Sequence, residues 1–190
     1  LQRAQDVLEP DRNPRETISL LDNLANTELN LENYEIAKEL HEITLAFIES
    51  TLGPSDICVA TTLVNLSNAQ RLLGNYSDAK SLLERALVIQ KSQLENFHPD
   101  TATTLENLGQ RNFSLGNYPE AISCYVEALE IQKAQSTPPK TMYTTIGELG
   151  WTFVVLGNFE PGKILLEQAL ELGESQLGQS HPNLVKTIMN

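Results

Sequence analysis

The side chains best suited to catalysis or metal binding are few in this chain of 190 residues. Cys58 and Cys124 stand 66 residues apart, which is not the close spacing of metal ligands. His98 and His181 each precede a proline, a pattern typical of a turn and helix cap. The sequence contains no phosphate-binding loop, activated serine, zinc or dinucleotide motif. We therefore predict no catalytic residues, no metal and no cofactor, and we expect that the protein is not an enzyme.

The charge balance is acidic, with 25 Asp and Glu against 13 Lys and Arg and a formal net charge of −12. Such a chain repels phosphate backbones and anionic headgroups, so we expect neither nucleic acid nor a membrane as partner. The excess of acidic residues either serves solubility alone or favours the binding of neutral or basic partner segments. No apolar run is long enough to span a membrane. Two isolated cysteines are typical of a reduced, cytoplasmic setting.

One phrase of sequence recurs four times. "LGNYSDAKSLLERALVIQ" begins at Leu73, and "LGNYPEAISCYVEALEIQ" at Leu115 has the same residue at 10 of the 18 places. The aromatic residue of the phrase recurs at intervals of 42, 42 and 41 residues, as Tyr34, Tyr76, Tyr118 and Phe159. A period of this size indicates a solenoid of stacked helical repeats rather than one closed core.

Each copy contains two helical patterns. After the aromatic residue, small and apolar side chains recur in steps of three and four, for example at Ala79, Leu82, Leu83, Ala86 and Leu87. A first helix precedes the aromatic residue, and its leucine pair is followed by a small residue, which is Ala25, Ser67, Gly109 or Gly150. Small residues at a fixed place predict the close approach of another helix. His41 and Thr44 replace apolar residues in the first copy, which is therefore the weakest.

The turn between the two helices reads "LENY", "LGNY", "LGNY" and "LGNF". Glycine before the asparagine predicts positive φ at the end of the first helix. The asparagine, at 33, 75, 117 and 158, is predicted to cap the second helix with its side chain. Glu32 replaces the glycine in the first copy, and we expect it to strain that turn.

These features resemble the tetratricopeptide repeat (TPR): a leucine and a small residue on the first helix, Gly-x-Tyr at the turn, and two spaced alanines on the second. The period and "HPDTATTLENLG" are similar to the longer, kinesin-light-chain-like type. The resemblance implies an all-α fold, a right-handed α-solenoid of antiparallel helix pairs (TPR superhelix). The predicted parts are the second helix of a preceding repeat at 1–10, TPR 1 at 14–53, TPR 2 at 56–95, TPR 3 at 98–136, TPR 4 at 139–178, and the first helix of a fifth, truncated repeat at 181–190.

The resemblance also implies that the first helices line a concave groove that holds a peptide or partner helix. By register, the side chains beside the apolar pair of each first helix (two leucines, or Ile146 and Leu149 in the fourth copy) face this groove. They are Asn23, Asn26, Asn65, Asn68, Arg71, Asn107, Gln110, Glu148 and Trp151. A carboxamide both donates and accepts hydrogen bonds, so this row could pair with peptide backbone of any sequence. It could equally solvate an exposed face or bridge neighbouring repeats. Trp151 is either an anchor for a partner or a plug against the next repeat.

Two functions follow as hypotheses. The first is a protein–protein interaction scaffold that binds a peptide or partner domain; the second is a regulatory or sensor arm of a larger signalling or catalytic protein. Arg71 is the one plausible cation in the row, so a clamp for a terminal carboxylate is not expected.

The sequence also departs from the family pattern three residues after the small residue of each first helix, where a large apolar side chain is usual. Only Phe153 conforms; the others are Glu28, Gln70 and Asn112.

Overall fold

The computed structural model describes residues 13–135 and 141–177, and this part of the chain is all-α. Its helices are α1 Pro14–Asn30, α2 Tyr34–Thr51, α3 Ile57–Leu72, α4 Tyr76–Gln93, α5 Pro99–Ser114, α6 Tyr118–Ala134, α7 Met142–Val155 and α8 Phe159–Leu177. The predictions for 1–10 and 181–190, including that for His181, lie outside the described residues.

Two compact units divide the chain, Leu1–Leu94 and Glu95–Asn190. In the first unit, α1 packs on α2, α2 on α3 and α3 on α4; in the second, α5 packs on α6, α6 on α7 and α7 on α8. Buried side chains of α2, α3 and α4, such as Ile48, Leu63 and Ala86, form the main core of the first unit. In the second, Tyr125 and Leu149 belong to a core shared by α6, α7 and α8. Each unit is thus built from consecutive helix pairs.

Polar side chains cap three of the first helices. Asn13 Oδ1 accepts a hydrogen bond from the amide of Arg15 at 2.9 Å, and Asp56 Oδ1 accepts one from Cys58 at 2.8 Å. His98 Nδ1 accepts from the amide of Asp100 at 3.2 Å, so the prediction that His98 is a cap is confirmed. These caps satisfy amides that have no partner inside the helix.

The asparagines at 33, 75 and 117 occupy the N-cap position of the second helices, as predicted, but the prediction that their side chains accept a capping hydrogen bond is wrong. Asn33 Nδ2 instead donates to Glu28 Oε2, and Asn75 Nδ2 to Gln70 Oε1, each at 2.8 Å. The backbone amide of Asn33 also donates to the backbone carbonyl of Glu28, and that of Asn75 to the backbone carbonyl of Gln70, each at 2.9 Å, as in a Schellman motif. The asparagines therefore close the end of the first helix, and the polar residues that depart from the family pattern are their acceptors.

Glu32 takes a left-handed conformation, with φ of 62°, where the other turns have Gly74, Gly116 and Gly157 at 81°, 78° and 81°. The expected strain at Glu32 is thus confirmed, because a side chain at positive φ costs about 1–2 kcal/mol that glycine avoids.

We predict that Glu32→Gly raises the midpoint of thermal unfolding by about 2–4 °C, measured by circular dichroism. Gly74→Ala is the matched control: a methyl group there would meet no atom within 4 Å, so only the strain should lower its midpoint. An unchanged or lower midpoint for Glu32→Gly would contradict the prediction.

The small residues of the first helices make close contacts in the second unit, as predicted. A methyl group on Gly109 would lie 2.6 Å from Cε1 of the Tyr125 ring. On Gly150 it would lie 3.0 Å from Cβ of Leu165 and 3.1 Å from the carbonyl oxygen of Gly162. The absence of a side chain therefore sets how closely α5 approaches α6 and α7 approaches α8.

Candidate partner-binding surface

In the first unit, the predicted partner-binding residues lie on α1 and α3. Asn23 and Asn26 are exposed on α1, while Asn65 is half-buried and Asn68 exposed on α3. Arg71 donates to Asn68 Oδ1 from Nε at 3.1 Å and from Nη2 at 2.8 Å. Asn68 and Arg71 are therefore engaged with each other.

In the second unit, the predicted residues lie on α5 and α7. Asn107 and Trp151 are half-buried. Gln110 Nε2 on α5 donates to Glu148 Oε1 on α7 at 2.9 Å, so these two residues join neighbouring helix pairs. The possibility that polar residues of this row bridge repeats thus holds for Gln110 and Glu148.

Glu148 also belongs to the interior of the second unit. The hydroxyl of Tyr125 on α6 donates to Glu148 Oε2 at 2.7 Å. Burial raises the pKa of the Glu148 carboxyl, and the hydrogen bonds from Tyr125 and Gln110 and the charge of Arg111 oppose that rise. Burial, with the Glu148 charge, also raises the pKa of Tyr125, which therefore stays a neutral donor.

A second carboxylate, Glu106 on α5, was not among the predicted residues. Its Oε1 accepts hydrogen bonds from the Thr145 hydroxyl on α7 and from Gln132 Nε2 on α6, the latter at 2.7 Å. Burial raises the pKa of Glu106, the two hydrogen bonds lower it, and the Glu148 charge raises it. The other repeats have Asp22, Val64 and Gly147 at this place, so no recurrent pattern marks it.

Four carboxamides of the predicted row are left without internal partners. Within residues 13–135 and 141–177, the side chains of Asn23, Asn26, Asn65 and Asn107 make no hydrogen bond. Asn65 and Asn107 are also half-buried. They occupy the same place in successive repeats.

No helix of the described part is long and apolar enough to cross a membrane. The same part holds no group of three or more His, Cys, Asp and Glu side chains that could bind a metal ion.

His41, fully buried on α2, faces Asp22 on α1, with 3.2 Å between Nδ1 and Oδ1. This pair joins the two helices of the first repeat.

The chain is built from consecutive helix pairs. A Schellman turn joins the two helices of each pair, and small residues lie at the helix contacts. These features define a helical repeat protein, a class that serves as interaction scaffolds. The tetratricopeptide repeat family model matches residues 16–92 and 78–134, which together make up more than half of the chain. The chain belongs to the tetratricopeptide repeat family. No curated protein sequence matches it.

Solved structures of kinesin-light-chain type are similar to this chain. The nearly identical TPR-like repeats of a kinesin-light-chain-like protein from Podosopora anserina share 21% identity over 93% of this chain and 83% of that chain, with a TM-score of 0.79. BtubC (BKLC) from P. vanneervenii shares 21% identity over 95% and 71%, with a TM-score of 0.82. The apo form of RapI shares 14% over 92% and 62%, with a TM-score of 0.80. The predicted all-α solenoid of kinesin-light-chain type is confirmed.

Proposed function

We propose that this protein is an interaction scaffold that binds an extended peptide or a partner segment through the carboxamides of its first helices. The TPR fold supports a role in protein interaction in general and is typical of non-catalytic proteins. The observation that carries the finer proposal is the state of Asn65 and Asn107. They are half-buried, recur at one place in successive repeats, and have no hydrogen-bond partner in the described part of the chain.

The chemistry of a carboxamide favours a peptide main chain as the ligand. Each carboxamide offers two N–H donors and an oxygen acceptor, which match the carbonyl and amide groups of an extended backbone. A hydrogen bond in a half-buried place contributes about 0.5–1.5 kcal/mol when both groups find a partner. Two such residues would therefore account for a substantial part of a moderate affinity and would tolerate many partner sequences.

The charges of the surface favour a neutral or basic partner over an acidic one. Arg71 is held by Asn68, and the chain as a whole has a net charge of −12. Gln110 and Glu148 are bonded to each other, so we propose that they act on the partner indirectly, by fixing α5 against α7. Trp151 remains a candidate anchor for an apolar side chain, or a plug against the next repeat.

The double variant Asn65→Ala/Asn107→Ala tests the proposal. A partner is first isolated by affinity capture from the native cell with the intact protein, and its binding to wild type and variant is then measured by titration calorimetry. We expect the Kd to rise by about 10- to 100-fold, because two hydrogen bonds of about 1 kcal/mol or slightly more are lost.

Asn30→Ala is the matched control, because Asn30 is exposed at the end of α1 and outside the predicted row. It should leave the Kd unchanged, and all variants should keep the helical signal of the wild type in circular dichroism. A double variant that binds the partner as tightly as the wild type would rule out recognition through these carboxamides.

A further inference from the structure

The junction of α5, α6 and α7 in the second unit contains two carboxylates and one arginine among its described residues. Glu106 and Glu148 are mostly buried, and the charge of Glu148 acts on Glu106; Arg111 on α5 is only 7% exposed and acts on Glu148. A buried charge that lacks a counter-ion is costly. When both carboxyls are ionised, the junction holds one negative charge more than Arg111 balances.

We propose that Glu106 makes this junction sensitive to pH, so that it is tight when Glu106 is protonated and looser when Glu106 is ionised. The helix pairs concerned are α5–α6 and α7–α8, the third and fourth repeats. Because Thr145 on α7 and Gln132 on α6 both bond to Glu106, a change of charge there acts on all three helices of the junction.

Burial raises the pKa of both carboxyls, and their other contacts favour Glu106 as the first to gain a proton. Glu148 accepts hydrogen bonds from Tyr125 and Gln110 and has Arg111 nearby, all of which favour its ionised form. Glu106 has only the neutral donors Thr145 and Gln132, and it is repelled by Glu148.

The structure also contains an acceptor for the added proton. Gln132 is 3% exposed, and within the described residues its Oε1 has no hydrogen-bond partner. The two ends of a carboxamide exchange places when the group rotates by half a turn, so Oε1 can come to lie where Nε2 now meets Glu106. A protonated Glu106 would then donate to Gln132 Oε1, which now has no partner among the described residues, and Nε2 would move to the place that Oε1 occupies.

The direction of the pH effect follows from the raised pKa of Glu106. A carboxyl whose pKa is higher in the folded than in the unfolded protein binds its proton more tightly when folded. Its stabilising contribution is complete below the ordinary value of 4.5 and is lost as the pH rises through the higher folded value. The neighbouring groups are Arg111 from α5, Tyr125 from α6 and Glu148 from α7; Arg111 stays charged and Tyr125 neutral over this range.

The test is Glu106→Gln in the full chain, because glutamine is a neutral analogue of the protonated carboxyl with an amide that can donate to Gln132. At pH 8 we expect the variant to unfold at a temperature about 2–4 °C above the wild type, with slower hydrogen exchange in α5 and α7. At pH 5 the difference should shrink, because a larger fraction of the wild type then carries the proton on Glu106. Comparison at one pH removes the general effect of the acidic net charge.

Glu130→Gln is the matched control, because Glu130 is exposed on α6. It should change the unfolding temperature by the same small amount at both pH values. A Glu106→Gln variant equal to or less stable than the wild type at pH 8, or one stabilised equally at pH 5 and pH 8, contradicts the proposal. If the variant does not fold, carboxyl ¹³C shifts of the wild type decide: a titration midpoint of Glu106 above the ordinary value of 4.5 supports the proposal, and an equal or lower midpoint overturns it.

Discussion

The Gly162→Ala variant is expected to unfold at a temperature about 5–10 °C below the wild type, which corresponds to a loss of about 2–3 kcal/mol through overpacking. A methyl group on Gly162 would lie 2.6 Å from Cγ2 of Val154 and 2.9 Å from the carbonyl oxygen of Gly150. It would also lie 3.1 Å from the backbone nitrogen of Val154. Two of these three atoms are backbone, so a change of rotamer cannot relieve the contact. Helix α8 would have to move away from α7.

The sign of this prediction separates packing from helix propensity. Alanine favours a helix over glycine by about 1 kcal/mol, so propensity alone predicts that Gly162→Ala stabilises the protein. The other repeats have alanine at the same place, at Ala37, Ala79 and Ala121, each fully buried. In the fourth repeat the space for a methyl group is taken by Val154 and by the carbonyl oxygen of Gly150, both on α7.

The measurement is thermal unfolding by circular dichroism, with hydrogen exchange in α7 and α8 to locate the effect. Lys163→Ala is the control, because Lys163 is the adjacent residue and its side chain is 67% exposed. It should change the midpoint by no more than a degree or two, as surface substitutions commonly do. A Gly162→Ala midpoint equal to or above that of the wild type would show that the close contact does not limit stability.

Most of the fold could be predicted from the sequence, because the residues that a turn or a helix contact requires recur at the same place in several copies of the repeat. Glycine before the turn asparagine recurs in three copies, and positive φ is found at each of them. Glu32 could be identified as strained only because the other copies show glycine there. The small residues Gly109 and Gly150 predicted close helix contacts for the same reason.

Features that occur in one repeat only could not be predicted. The role of the turn asparagines depends on an acceptor five residues earlier, which is Glu28 in one copy and Gln70 in the next. The carboxamide and carboxylate of Gln110 and Glu148 were expected to face a partner, but a hydrogen bond between helices α5 and α7 engages both. Glu106 carries no recurrent signal, and its hydrogen-bond partners Thr145 and Gln132 are distant from it in sequence. Such contacts depend on how one helix pair packs on the next.

Removal of the buried arginine is expected to have the largest effect on stability. Arg111 is 7% exposed and its charge acts on the Glu148 carboxyl. Arg111→Met keeps most of the volume but removes the cation whose charge acts on Glu148, and a mostly buried carboxylate that loses such a charge is destabilised by about 3 kcal/mol. We expect a loss of this size at pH 8, measured by urea unfolding, and a smaller loss at pH 5, where the carboxyls with raised pKa gain protons.

Arg85→Met is the matched control, because it removes an arginine that pairs with Glu49 at the surface, where its side chain is 42% exposed. A surface pair contributes about 0–1 kcal/mol, so an equal effect of the two substitutions would contradict a buried role for Arg111. The double variant Arg111→Met/Glu148→Gln removes the unbalanced charge together with its partner. If the loss in Arg111→Met comes from charge, the second substitution should restore stability; if it comes from packing, the two losses should add. The cycle thus decides whether the α5–α7 junction is held by electrostatics or by shape.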